Sequence, residues 1–275
     1  MGSILFIVWR ESIEAMLVIG ILYAYLANYE QGRRGFRYLW GGVLGGVALS
    51  ALLALATLRI QNELQDQQLE YFKTAAMFAA AILMTQMVLW MSRHGHKIKK
   101  ELHADMDKAL GAGSLIGVGM IALLAVVREG SETVLYVYSL GLESNSGQMA
   151  NLFGTVALGF VLALATAWTV YRGMRFLNYR IFFRITGIVL LFSSAGLLIS
   201  GISNLIGMGA LPALVAHLWD TSSLLDSGSR AGGVVASLTG YRSQPSLMLV
   251  LAYALYWAFT LVLLKGRRQA GVSLR

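Results

Sequence analysis

The sequence predicts an all-α integral membrane protein: seven transmembrane helices, built as a 3+3 inverted-topology repeat plus one extra helix. Three observations carry this. First, 57% of the 275 residues are hydrophobic and 13% are charged, against about 45–50% and about 25% in soluble domains. Second, seven apolar stretches are each long enough to cross a hydrocarbon core, which takes about 20 helical residues. Third, two of those stretches carry the same Arg-Glu-x-x-Glu motif in corresponding places of the two halves.

The stretches run roughly Ile4–Ala27, Tyr38–Leu58, Phe72–Ser92, Gly113–Leu142, Asn151–Tyr171, Ile181–Ile206 and Leu247–Leu264. In lipid every backbone N–H and C=O must find a partner within its own segment, so these stretches are read as helices. No basic residue precedes the first stretch and Arg10-Glu11 interrupts it, so it is read as a membrane helix and not as a cleaved signal. Cysteine is absent, which excludes disulfides, Cys-ligated zinc and iron–sulfur clusters.

The net charge of +8 reflects orientation. With the N-terminus outside and the C-terminus inside, the inner loops and tail receive Arg33, Arg34, Arg37, Arg93, Lys97, Lys99, Lys100 and Lys108. They also receive Arg172, Arg175, Arg180, Arg184, Lys265, Arg267, Arg268 and Arg275. The outer side receives Arg59, Lys73, Arg230 and Arg242. This is the positive-inside asymmetry. It accounts for the basic balance as a membrane signal and argues against a nucleic-acid partner.

The halves repeat. VWRESIEAMLV near the start matches VVREGSETVLY after residue 125, the glycine-rich stretch from Trp40 matches that from Phe153, and EYFKTAAMF from Glu70 matches IFFRITGIV from Ile181. Three spans per repeat force the second repeat to enter the membrane in the opposite sense, an arrangement common in secondary transporters. The chain is thus read as a single transmembrane domain, 1–275. Repeat one covers about 1–108, repeat two about 109–206, an outer loop 207–246 and a seventh helix about 247–265.

Arg10, Glu11 and Glu14 lie in the first span; Arg128, Glu129 and Glu132 lie in the fourth. Arg10 is about 12 Å along a helix from Gly2, at about 1.5 Å per residue, so it reaches mid-membrane. Within each motif the glutamates are i and i+3, so they share a face, and the arginine and second glutamate are i and i+4, so they are neighbours too. Each charge at that depth costs about 2.5–3.5 kcal/mol unless paired. Arg10 and Arg128 compensate two of the four carboxylates. The remaining negative charge calls for a bound cation, or for protons on two glutamates, as in a proton pathway. Two interhelical salt bridges that only lock the bundle would leave the surplus carboxylates unexplained. Oxygen ligands without thiolate select hard cations. Trivalent iron fits, as do calcium, magnesium and manganese, so the motif alone leaves the metal open.

With these motifs the sequence resembles the oxidase-dependent iron permease family, including its bacterial EfeU-like high-affinity members. Two R-E-x-x-E motifs on spans one and four of seven are that family's hallmark. The stretch from Trp219 to Ser246 is similar to its last outer loop, and MVLWM in span three to its pattern there. The resemblance covers nearly the whole chain. It implies iron import across the bacterial inner (plasma) membrane, with Glu11, Glu14, Glu129 and Glu132 as iron-binding carboxylates. It also implies iron as cargo (Fe³⁺ favoured over Fe²⁺), no resident cofactor, and extracytoplasmic iron-oxidising or iron-binding proteins as partners. One departure stands out: Lys73 occupies the outer start of span three, where relatives often carry a glutamate.

Further residues are candidates by spacing. Glu63, Asp66 and Glu70 are i, i+3, i+7 and would form one acidic helical face at an outer mouth, or else a solvated helix end. Asp220 and Asp226 would either cap a helix or line that mouth. His94, His96 and His103 lie on the inner side among lysines, where an exit site competes with repulsion by neighbouring positive charge. Met77, Met84, Met87 and Met91 share a face of span three and read as packing residues. Gly41-Gly42 and Gly45-Gly46 predict a close helix contact. Thr85, Gln86, Ser193 and Ser194 are mid-span polar groups that line a path or bond between helices. Rival functions are a transporter or proton-coupled exchanger for another divalent cation, an intramembrane acid–base enzyme, and a structural subunit. No nucleophile or cofactor motif lies near the glutamates, so an enzyme is not expected.

Overall fold

In a computed structural model, the described residues are 2–28, 32–94, 98–111, 114–141, 149–171 and 179–270. They form helices α1 (Gly2–Ala27), α2 (Gly32–Glu63), α3 (Asp66–His94), α4 (Ile98–Gly111) and α5 (Leu115–Gly141). Then follow α6 (Met149–Tyr171), α7 (Tyr179–Gly207), α8 (Arg230–Thr239) and α9 (Leu247–Ala270). Each of the seven predicted stretches carries a helix among the described residues, Gly113 and Leu142 of the fourth lying outside them. Five of them, α2, α3, α6, α7 and α9, are long and apolar enough to cross a membrane. The other two, α1 and α5, have 26 and 27 residues and carry the charged motifs near their middles. Both prolines, Pro212 and Pro245, fall between α7 and α9, so no described helix loses a hydrogen bond to a proline ring.

Two helices lie outside the predicted spans. The first, α4, is polar overall, but Leu102, Met106 and Leu110 recur every four residues and line one face. Met106 is fully buried in a cluster with Leu22, Leu26, Leu39, Val43, Val118, Ala122 and Val126. The second, α8, interrupts the expected outer loop of 207–246. Ser229 caps its N-terminus by accepting from Gly232 N (3.0 Å), and Gly240, at φ 76°, closes its C-terminus in the left-handed region.

The helices fall into two compact units. One holds residues 4–65 and 94–182, and so α1, α2, α4, α5 and α6. In it α2 and α5 run parallel in close contact. A Cβ on Gly42 would lie 2.1 Å from Gly119 O, and one on Gly46 would lie 2.7 Å from Val126 Cβ and 3.1 Å from Leu123 O. The glycine pair therefore makes the predicted close contact through Gly42 and Gly46, while Gly41 faces open space. The contact between α1 and α6 has the same form: a Cβ on Gly159 would lie 3.0 Å from Val8 Cβ and 3.1 Å from Leu5 O. Trp9 Nε1 also donates to Thr166 Oγ1 across 3.1 Å.

The second unit holds α3, α7, α8 and α9. Thr85 and Ser194 bond to each other (2.8 Å), and Thr85 also meets the Tyr256 hydroxyl at 3.1 Å. Ser194 donates to Ala81 O at 2.7 Å. Of the mid-span polar residues, these two therefore bond between helices, Gln86 is exposed, and Ser193 is buried with no hydrogen-bond partner among the described residues. Met77, Met84, Met87 and Met91 are all buried, in keeping with their reading as packing residues. The segment from α7 to α9 folds back on itself through Leu218 N to Pro245 O (3.0 Å), Thr221 N to Ser243 O (2.9 Å) and Leu247 N to Val215 O (3.0 Å).

The predicted acidic face of Glu63, Asp66 and Glu70 does not form. Glu63 ends α2 and Asp66 opens α3, with Asp66 at φ 24°. The three residues belong to two helices, because the helical run breaks at Leu64 and Gln65 before the i, i+3, i+7 register can continue.

Candidate metal centre

The two motif helices meet inside the first unit. Ligand oxygens of Glu11, Glu14 and Glu129 lie within 4.8 Å of one another, and all three residues are buried. Helical spacing puts Glu11 and Glu14 on one face of α1, and α5 brings Glu129 to that face. Glu132, one turn further along α5, is also buried, at 8% exposure.

The two arginines differ. Arg10 is 1% exposed; its Nη1 donates to Glu11 Oε1 at 2.7 Å and its Nη2 lies 2.5 Å from Glu14 Oε1. Arg128 is 44% exposed, with Nε 3.3 Å from Glu132 Oε1 and 3.9 Å from Glu129 Oε1. The α1 motif is thus a tight, sealed cluster and the α5 motif a looser one open to its surroundings. Glu11 Oε2 and Glu129 Oε2 are buried and face no nitrogen or hydroxyl donor among the described residues. Buried carboxylate oxygens without donors are costly, and oxygens gathered this closely are an arrangement that a hard cation can satisfy.

Against this geometry stands one decisive comparison: the model of the iron permease FTR1 family matches residues 1–270. The chain belongs to that family. Among relatives of this FTR1-family chain, the ferrous iron permease EfeU of Escherichia coli O6:H1 is 28% identical over 274 residues, covering 97% of this chain and 96% of the relative. Ferrous iron permease EfeU of Yersinia pestis is 29% identical over 277 residues, covering 98% and 95%. No solved structure matches the chain. Family membership and the apolar helices together make this a multi-pass protein of the bacterial inner membrane.

The candidate residues outside the centre are placed as follows. In the FTR1-family chain, Glu70 is held by Lys73, whose Nζ donates to Glu70 Oε1 at 2.8 Å. The lysine that departs from the expected glutamate thereby neutralises the acid one turn before it. Asp220 and Asp226 cap no helix, contrary to one of the two readings of them. Asp220 accepts from Ser222 N at 2.8 Å, from the Ser222 hydroxyl, and from Gln244 Nε2 at 2.8 Å. The Ser222 hydroxyl, then its amide and Gln244, hold the Asp220 carboxyl below its ordinary range. Asp226 accepts from Gly228 N at 2.9 Å, and the cap of α8 falls to Ser229 instead. Short aspartates favour such turns over their own backbone. His103 stacks edge-on against Tyr25, with ring centroids 5.1 Å apart. His96, and the side chain of His94, lie outside the described residues.

Sequence reasoning missed Tyr136. It is fully buried, and its hydroxyl donates to Glu132 Oε2 at 3.0 Å. The signal was present in its i+4 spacing from Glu132, but among apolar neighbours a tyrosine reads as packing.

Proposed function

We propose that this chain is an iron permease that imports iron ions through a mid-membrane centre of Glu11, Glu14, Glu129 and Glu132. The observation that carries the reading is the convergence of the Glu11, Glu14 and Glu129 oxygens within 4.8 Å, from the middles of two apolar helices, in a chain of the iron permease FTR1 family. Arg10 and Arg128 offset two of the four carboxylates, and the transported cation offsets the rest. The relatives' names specify ferrous iron, whereas an all-carboxylate donor set favours ferric iron on hardness. Uptake assayed with each oxidation state decides which is carried.

Seven spans with the N-terminus outside form the transport frame, and α1–α3 and α5–α7 are its inverted repeats. The paired contacts support this: Gly46 approaches Val126 and Leu123 as Gly159 approaches Val8 and Leu5, and these residues correspond in the two halves. The apolar cluster around Leu22, Leu26, Met106 and Val118 lies beyond the centre on the C-terminal half of α1 and the N-terminal half of α5. In this topology that is the cytoplasmic side, so release inward requires the cluster to open. Iron reaches the outer side from extracytoplasmic iron-oxidising or iron-binding proteins.

The test is iron uptake by the purified protein in lipid vesicles. The Glu14→Gln and Glu132→Gln variants are expected to lose most of their flux while keeping normal abundance. Undiminished flux in the double variant would remove the centre as proposed. Competition by manganese, zinc and calcium separates iron from other oxygen-liganded cations.

A further inference from the structure

The two repeat-related glutamates that close the motifs, Glu14 and Glu132, are held in different ways. Glu14 is held by the sealed guanidinium of Arg10 at 2.5 Å. Glu132 is held at both oxygens: Oε1 by Arg128 at 3.3 Å and Oε2 by the Tyr136 hydroxyl at 3.0 Å. Arg128 is 44% exposed, whereas Tyr136 is fully buried. The residue that corresponds to Tyr136 in the first repeat is Val18, which has no hydrogen-bonding side chain. The phenol is therefore an addition to one half of the centre.

We propose that Tyr136 is a positioning residue for transport: its hydroxyl holds Glu132 through Oε2, so that Oε1 can exchange Arg128 for the incoming cation. This rests on the carboxylate-centre reading above. A buried phenol must donate to some acceptor, and on α5 the nearest acceptor one turn back is Glu132. A neutral donor suits the role. It keeps the carboxylate in one rotamer without competing with the metal for charge, and it remains when the exposed guanidinium leaves.

Tyr136→Phe keeps the ring and removes only the hydroxyl. In vesicles loaded by ⁵⁵Fe uptake, this variant is expected to raise the KM for iron about tenfold, the scale of one hydrogen bond to a charged group, with the maximal rate within about twofold. In a Glu132→Gln background the same change is expected to add nothing, because Tyr136 acts through that carboxylate. An unchanged KM in Tyr136→Phe, or an equal rise with and without Glu132→Gln, would overturn the inference while leaving the centre standing. Unimpaired uptake by Glu132→Gln alone would instead remove the centre itself, and this inference with it. Should Tyr136→Phe not reach the membrane, 3,5-difluorotyrosine at position 136 decides: it alters the donor's acidity within nearly the same volume. A KM shift that vanishes in the Glu132→Gln background supports the role, and an unshifted KM overturns it.

Discussion

Arg10 Nη2 lies 2.5 Å from Glu14 Oε1, one turn along α1, and the two side chains are 1% and 6% exposed. A pair this deep in apolar surroundings is tied to its partners: removing the cation leaves Glu11 and Glu14 as uncompensated buried charge. Breaking a buried pair in this way costs about 3–5 kcal/mol. Arg10→Met is therefore expected to lower the unfolding temperature and membrane abundance severely. Glu14→Gln in the same chain should recover part of the loss. Arg128→Met, at a site 44% exposed, also takes a cation from buried carboxylates but is expected to cost less than Arg10→Met, because Arg128 lies farther from its partners. Thermal unfolding in detergent compares the three directly, and equal losses for the two arginines would contradict the asymmetry.

Gly42 and Gly41 are neighbours with opposite expectations. A Cβ on Gly42 would sit 2.1 Å from the Gly119 carbonyl oxygen, a backbone atom that cannot rotate away, while a Cβ on Gly41 meets nothing within 4 Å. Gly42→Ala is expected to cost at least the ~1–3 kcal/mol of overpacking, since α2 must separate from α5. Gly41→Ala is expected to stay within about 0.5 kcal/mol. Melting temperatures of the two variants give the comparison.

The absence of cysteine supplies a clean background for testing orientation. Gln67 and Lys108 are both exposed, at the start of α3 and near the end of α4. With the N-terminus outside, a membrane-impermeant thiol reagent applied to intact cells is expected to label Gln67→Cys and to spare Lys108→Cys. Labelling should reverse in inside-out vesicles. The opposite pattern would invert the proposed topology and with it the direction of transport.

Asp220 fastens the segment between α7 and α9 through Ser222 and Gln244, and its carboxyl is held below the ordinary range chiefly by the Ser222 hydroxyl. A carboxyl with a lowered folded value stabilises above its unfolded pKa and loses that contribution as pH falls through the folded value. Hydrogen exchange at Ser222 is thus expected to stay slow from neutral to mildly acidic pH and to quicken only below the usual carboxylate range. In Asp220→Asn this acid limb should disappear. A transition at the ordinary aspartate value would show that these bonds do not persist in solution.

Much of the molecule was legible in its sequence because lipid restricts the solutions. Apolar length and the need to satisfy the backbone determined the helices, and helical period determined that Glu11 and Glu14 share a face with Arg10 beside Glu14, as Glu129 and Glu132 do with Arg128 beside Glu132. The glycine pairs foretold a close contact, since only a missing Cβ lets backbones meet so nearly. Periodicity describes one helix at a time, however. It carried Glu63, Asp66 and Glu70 along one imagined face where the helix in fact breaks. It also gave no sign of α4 or α8, whose stability comes from a buried methionine face and from a serine cap.

What tertiary structure alone decided is which faces meet and how deeply each group sits. Equal motifs read as equal sites, yet the surroundings of the two helices bury Arg10 and expose Arg128. The convergence of Glu129 on Glu11 and Glu14 depends on how α5 lies against α1, a relation between residues more than a hundred positions apart that no local spacing encodes. Tyr136 became part of the centre for the same reason: its spacing placed it beside Glu132, but only its burial there made that carboxylate its partner.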